Sequence, residues 1–206
     1  FNATATTQIY TLSLEDAHPI STTAASPSRS SEARRGMNDK QLESRIDPAQ
    51  ERPEGFRRVS DALAARGHPH APVFLNNSAR TAQEAADALG VTVGQIAKSI
   101  VFRRRSDDAA VLVVTSGDKR VDEAKVAARV GAVGRADPAF VKGATSFTIG
   151  GVAPVGHVTP PVTLIDRELF RFEAIWAAAG HPKGVFLLTP AQLVALTGAP
   201  VEDVTE

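Results

Sequence analysis

The sequence predicts a mixed α/β fold of the α+β type. Helical and strand-like hydrophobic spacings alternate from Glu51 onward, and two strand candidates, Lys98–Arg104 and Ala109–Thr115, are joined only by Ser106-Asp107-Asp108. A connection that short makes an antiparallel hairpin, because a parallel pair needs a crossover of about a dozen residues. Neither G-x-G-x-x-G nor G-x-x-x-x-G-K-[ST] occurs, so a doubly wound nucleotide-binding sheet is not indicated.

The elements follow in order. Glu54 to Arg66 places Phe56, Val59 and Leu63 at helical spacing and ends at Gly67, a residue suited to a C-terminal cap with positive φ. After the short apolar stretch Val73 to Leu75, Thr81-Ala-Gln-Glu84 reads as a capping box that opens a helix running to Gly90. The hairpin comes next. Asp122 then starts a helix through Val130, stopped by Gly131, and Asp137 starts a shorter one. Ser146–Ile149 and Val162–Ile165 are strand candidates. Phe170 to Ala179 reads as a helix ending at Gly180, Val185–Leu188 as a strand, and Thr189-Pro190 as a cap followed by proline at the first helical position.

Composition bounds what this fold can do. With 206 residues and 43% apolar content the chain supports one sizeable core, a domain of about 150 residues plus a tail. The absence of cysteine removes disulfides, a thiolate nucleophile and Cys-based zinc sites, and makes the cytoplasm the natural compartment. Neither a membrane span nor a secretory leader is expected, since no apolar run nears about 18 residues. Residues 1–50 are polar: seven of the eleven residues from Ser21 to Ser31 are Ser or Thr, and no periodic apolar face exists to bury. This segment is expected to be disordered or non-native, although Phe1 to Glu15 has enough Ile, Tyr and Leu for a short strand. The domain itself is expected over 51–206. Setting aside the five basic and six acidic residues of 1–50 leaves 18 basic against 17 acidic. A protein that grips a long duplex shows a basic excess instead.

Two segments carry candidate chemistry. Lys98 lies inside the apolar run QIAKSIVF, where strand alternation puts it on one face with Ile96, Ile100 and Phe102. A buried ammonium is costly without a partner, and that partner can be a ligand. The plainer reading is a lysine whose stem covers apolar surface while its ammonium reaches water. The second segment is GGVAPVG, Gly150 to Gly156. Adjacent glycines let a backbone approach a ligand and direct N–H groups at an oxygen, and the same pair also makes an ordinary tight turn. Arg103, Arg104 and Arg105 end the Lys98 strand, as a solvated edge or as a small phosphate contact. The five histidines are scattered and no H-E-x-x-H or G-x-S-x-G occurs, so neither a metal site nor a Ser-His-Asp hydrolase is supported. His68 and His70 flank Pro69 without nearby carboxylates, a poor ligand set.

Taken in order, RTAQEAADALGV, QIAKSIVF, VLVVTSGDKRVD, ADPAFVKGATSFTIGGVAPVGH, PVTLIDREL and AGHPKGVFLLTPAQL resemble the YbaK and ProX family of aminoacyl-tRNA deacylases, free-standing relatives of the prolyl-tRNA synthetase editing domain. The likeness spans roughly Val73 to Val204. It implies a single compact domain with a mixed, barrel-like sheet surrounded by helices, and trans-editing hydrolysis of a misacylated tRNA without metal or other cofactor. It implies that Lys98 contacts the aminoacyl-adenosine end, that Gly150, Gly151 and Pro154 hold the ester carbonyl and sugar, and that His181 lines the amino-acid pocket. Ala178 aligns where cysteine-specific members carry serine, and Arg80-Thr81 where they carry Asn-Phe. The implied substrate is therefore a proline tRNA bearing a small wrong amino acid, with the tRNA 3′ acceptor end as partner and prolyl-tRNA synthetase as a further one. Two other readings stay open: a non-catalytic module that binds an aminoacyl-tRNA end or an amino-acid-like ligand, and a regulatory partner of a synthetase.

Overall fold

The chain enters its described part, residues 52–206 of this computed structural model, on an amphipathic helix. The polar 1–50 segment and the short strand expected near its start lie outside the described residues. Helix α1 (Glu54–Ala65) buries Phe56, Val59 and Leu63, and Gly67 follows it at φ 64°. After β1 (Val73–Phe74), α2 (Ala82–Leu89) opens on the expected capping box. Thr81 Oγ1 accepts from the Glu84 amide at 3.1 Å, and the Glu84 carboxylate accepts from the Thr81 amide at 3.2 Å. A 3₁₀ turn, Val93–Gln95, leads into β2 (Ile96–Arg104), which begins two residues before the expected start, and β3 (Ala110–Ser116) returns beside it. Then come α3 (Glu123–Val130) capped by Asp122, β4 (Val133–Arg135), α4 (Pro138–Thr145) capped by Asp137, and β5 (Val162–Asp166). The last part holds a 3₁₀ helix, Arg167–Arg171, then β6 (Ile175–Ala178), β7 (Gly184–Leu188), α5 (Pro190–Thr197) capped by Thr189, and β8 (Val201–Glu202).

Two sequence expectations are overturned. Phe170–Ala179 is a 3₁₀ helix followed by β6, not an α-helix. Alanine favours helix, but Ile175, Ala177 and Ala179 enter the main core while Trp176 enters a second cluster, a period of two that tertiary packing imposes over local propensity. Gly180, the expected helix stop, instead serves the β6–β7 turn at φ 78°. Ser146–Ile149 forms no strand: Ser146 takes φ 60° at the end of α4, Phe147 is fully buried, and the chain turns at Ile149-Gly150. β4 and β8, at three and two residues, are too short for periodicity to announce.

The eight strands form one mixed sheet in the order β1-β7-β6-β2-β3-β5-β8, with β4 pairing β2 off this path. β2 pairs antiparallel with β3 from Ala97↔Ser116 to Arg103↔Ala110. Alternation sends Ala97, Leu112, Val114, Ile165, Ala177 and Phe186 to the main core with α1, α4 and α5. Ile96, Trp176 and Val185 face the other way against α2, and Phe102, Val111, Val113 and Leu164 form a third cluster with Val126 of α3. Lys98 lies on this second face, between the two smaller clusters.

Two outcomes test this packing. Phe186 is fully buried, so Phe186→Ala lowers the unfolding free energy by about 3–5 kcal/mol in urea titrations. His157 packs edge-on against Phe147, and burial is the main cause that holds its pKa below the usual 6.5, with Arg58 acting in the same direction and the Ala153 and Thr145 backbone opposing. Below pH 6.5 the unfolded chain takes up a proton that the folded chain resists, so stability declines as pH falls from 6.5 toward the folded value. The slope contributed is at most about 1.4 kcal/mol per pH unit, and His157→Leu removes it from melts run between pH 7 and 5.

Candidate active site

β2 is paired from Ala97 to Arg103 on one edge and, among the described residues, only at its two ends on the other. On the second edge β6 takes Ile96 and Ala97, and β4 takes Phe102, Arg103 and Arg104. Among the described residues, no strand pairs with Lys98, Ser99, Ile100 and Val101 on that side. Since successive residues turn their N–H and C=O groups to opposite edges, two of these four present main-chain donors and acceptors to the gap. The Ile149-Gly150 turn and Val152 stand across it, and a cleft of two lobes opens between them.

The lobes differ in chemistry. One, of about 580 Å³, is lined by Lys119, Arg120 and Arg135 together with Glu123. The other, of about 410 Å³, is walled by alanines, Ala79, Ala82, Ala85, Ala97, Ala177 and Ala178, over Trp176, with Arg80 and Thr81 at its side. Lys98, Ser99, Ile100, Ile149, Gly150 and Val152 line both. A ligand that occupies both lobes must cross these six residues.

At this junction the Lys98 ammonium donates to the Lys119 carbonyl at 2.7 Å and to the Gly117 carbonyl at 3.4 Å. An ammonium has three donors, so one remains for a ligand. Burial lowers the Lys98 pKa, and the Asp118 carboxylate opposes that shift. The Ser99 hydroxyl is enclosed here with no hydrogen-bond partner among the described residues.

The glycine pair works as a spacer between two loops. Gly150, at φ 86°, backs onto Arg80, where a Cβ would lie 3.3 Å from the Arg80 Cα. A Cβ on Gly151 would lie 2.7 Å from the His181 carbonyl carbon, so only glycine lets the turn seat against the β6–β7 loop. The Gly151 amide donates to the Thr148 carbonyl at 2.9 Å. Pro154 is buried with Val152, Ala153 and Val155.

Of the residues singled out from sequence, Lys98 and Gly150 meet at the junction, and Thr81 and Ala178 line the alanine lobe. Gly151, Pro154 and His181 stand behind the lining. His181 stacks on Phe74 at 5.1 Å and accepts from the Lys183 amide at 3.1 Å through Nδ1; burial and then Lys183 lower its pKa. Sequence reading passed over Ser99, Ile149, Trp176 and the basic group Lys119, Arg120, Arg135. Ile149 carries a signal after the fact, a large apolar side chain 56% exposed beside a glycine pair. Among the described residues no group of three or more His, Asp or Glu is placed to hold a metal, and no helix is long and apolar enough to cross a membrane.

Comparison with known proteins assigns residues 76–196 to the aminoacyl-tRNA editing domain. A Bacillus subtilis (strain 168) protein described as uncharacterized protein YwhH is 35% identical over 120 residues, 58% of this chain and 76% of that protein. A crystal structure described as a candidate trans-editing enzyme for prolyl tRNA synthetase is 44% identical, with a TM-score of 0.70 over 76% of this chain and 99% of that one. Another, of a hypothetical protein APE2540, is 30% identical, with a TM-score of 0.68 over 72% and 99%.

The glycine spacer makes a contrast that can be measured. Gly151→Ala forces the His181 backbone to move and costs about 1–3 kcal/mol in chemical denaturation. Gly143→Ala, in α4 with open space around the new methyl, stabilises by about 0.4–1 kcal/mol.

Proposed function

The chain belongs to the aminoacyl-tRNA editing domain family, and from that premise we propose that it hydrolyses, in trans, the ester joining a wrong amino acid to the 3′-terminal adenosine of a tRNA. The observation that supports this best is the junction of two unlike lobes at Lys98 and Gly150. An aminoacyl-adenosine is itself bipartite, a nucleotide and an amino acid on either side of an ester. The basic lobe suits the nucleotide, whose phosphate needs positive charge, and the alanine-lined lobe suits an amino-acid side chain. The ester then lies across Lys98, Ser99 and Gly150.

In this reading water adds to the ester carbonyl, the bond to the 3′ oxygen breaks, and that oxygen takes a proton. Lys98 supplies positive charge and its third N–H where an oxygen becomes negative, and the glycine turn supplies the Gly150 main-chain N–H. The substrate's 2′-hydroxyl orients the water, so no protein nucleophile is required. Gly151, Pro154 and His181 fix the turn and the loop behind the pocket, while Thr81 and Ala178 bound the side chain. A proline tRNA carrying a small wrong amino acid is the substrate we favour, with prolyl-tRNA synthetase as a partner and the cytoplasm as the compartment. The relative described for prolyl tRNA synthetase supports this choice. Ala178, where some relatives carry serine, favours a second reading in which the cleft binds an aminoacyl-tRNA end without cleaving it.

The test is deacylation of proline tRNA charged with alanine, cysteine or serine, beside correctly charged controls. Wild type turns over at least one misacylated species, and Lys98→Ala lowers kcat by about 100-fold or more while its thermal midpoint stays close to wild type. Binding without turnover of every species would select the second reading. Full activity in Lys98→Ala would remove the proposed role of that residue.

A further inference from the structure

The turn that holds Lys98 is itself gripped from outside the cleft. Both carbonyls that accept from the ammonium belong to Gly117-Asp118-Lys119, the reverse turn after β3, closed by the Lys119 amide donating to the Ser116 carbonyl at 3.0 Å. Gly117 is pressed against the Val93 carbonyl, where any Cβ would overlap it. Ser116 Oγ lies 2.6 Å from the Gly94 carbonyl and 2.7 Å from Asp118 Oδ1. The Arg171 guanidinium, from the 3₁₀ helix after β5, donates to Asp118 Oδ1 at 2.8 Å and to Ser116 Oγ at 3.0 Å. Glu168, one turn earlier, pairs with Arg171 at 3.2 Å and with Lys119 at 3.1 Å, so one short helix holds both the middle and the end of the turn.

We infer that Asp118 and Arg171 are positioning residues for Lys98, fixing the carbonyls that aim its ammonium at the junction of the two lobes. Neither residue lines the cleft. The geometry decides between this and an ordinary surface ion pair. Side chains that are 39% and 38% exposed contribute little to stability as a pair, yet this pair is anchored to a buried hydroxyl and to the turn that ligates the one lysine of the β2 gap. Asp118 also adds negative charge near the ammonium, against the effect of burial. The inference rests on the deacylation reading above, because Lys98 has a reacting partner only there.

The experiment uses the misacylated proline tRNA that wild type hydrolyses fastest. Arg171→Ala lowers kcat by about tenfold or more, with KM within about twofold and the melting temperature within a few degrees, and Arg171→Lys restores most of kcat. Asp118→Asn, which keeps the side-chain shape, lowers kcat in the same way. Arg129→Ala, which breaks a comparable ion pair between α3 and Glu202 of β8, leaves kcat unchanged. If wild type is active and Lys98→Ala inactive while Arg171→Ala and Asp118→Asn keep wild-type kcat, or lose only KM, the inference is overturned and the deacylation reading stands. If Arg171→Ala fails to fold, Asp118→Asn decides by the same criterion. If wild type hydrolyses no species, the deacylation reading fails and the inference falls with it.

Discussion

The rest of the molecule depends on how the second edge of β2 is shared. A central strand normally has a neighbour on both sides along its length, since unpaired N–H and C=O groups inside a protein are costly. Here β6 covers only the first two residues and β4 only the last three. Among the described residues, no strand covers the edge of the four residues between them. The gap lies between β6, whose Trp176 packs in the cluster of α2, and β4, whose Val133 packs in the cluster of α3. A lysine placed in the gap is half-buried yet reachable.

Around that opening the chain uses backbone contacts rather than large side chains to keep its shape. Gly150 and Gly151 let the loop after α4 touch both Arg80 and His181, so three segments distant in sequence converge on the cleft rim. The same economy appears at the turn after β3, where Gly117 fits under the Val93 carbonyl and its own carbonyl faces the ammonium. Fixed main-chain dipoles of this kind need no reorganisation when charge develops nearby. Charge is local as well: residues 51–206 are near neutral in composition, but Lys119, Arg120 and Arg135 gather in one lobe.

Much of this was readable wherever the deciding interaction is local. The Thr81–Glu84 capping box spans four residues, the Ser106-Asp107-Asp108 hairpin is closed by its own turn, and Asp122, Asp137 and Thr189 cap the helices that follow them. Lys98 stood out because strand alternation alone puts a charge among Ile96, Ile100 and Phe102. Expectation failed at Phe170–Ala179, where alanines suggest a helix but the pairing of β6 with β7 and with Ile96 and Ala97 demands a strand. No short window contains that demand.

The sequence by itself therefore determined the mixed α/β class, the capped helix starts and the central hairpin, and it singled out Lys98 and Gly150 as candidates. Each follows from side-chain periodicity, cap chemistry or backbone freedom within a few residues. Only the tertiary structure decided that β2 has an open edge, that Ser99, Ile149, Trp176 and Arg135 face the cleft, and that Arg171 reaches the turn holding Lys98. These depend on contacts between segments tens of residues apart, whose pairing is set by burying three clusters at once and not by the preference of any one segment.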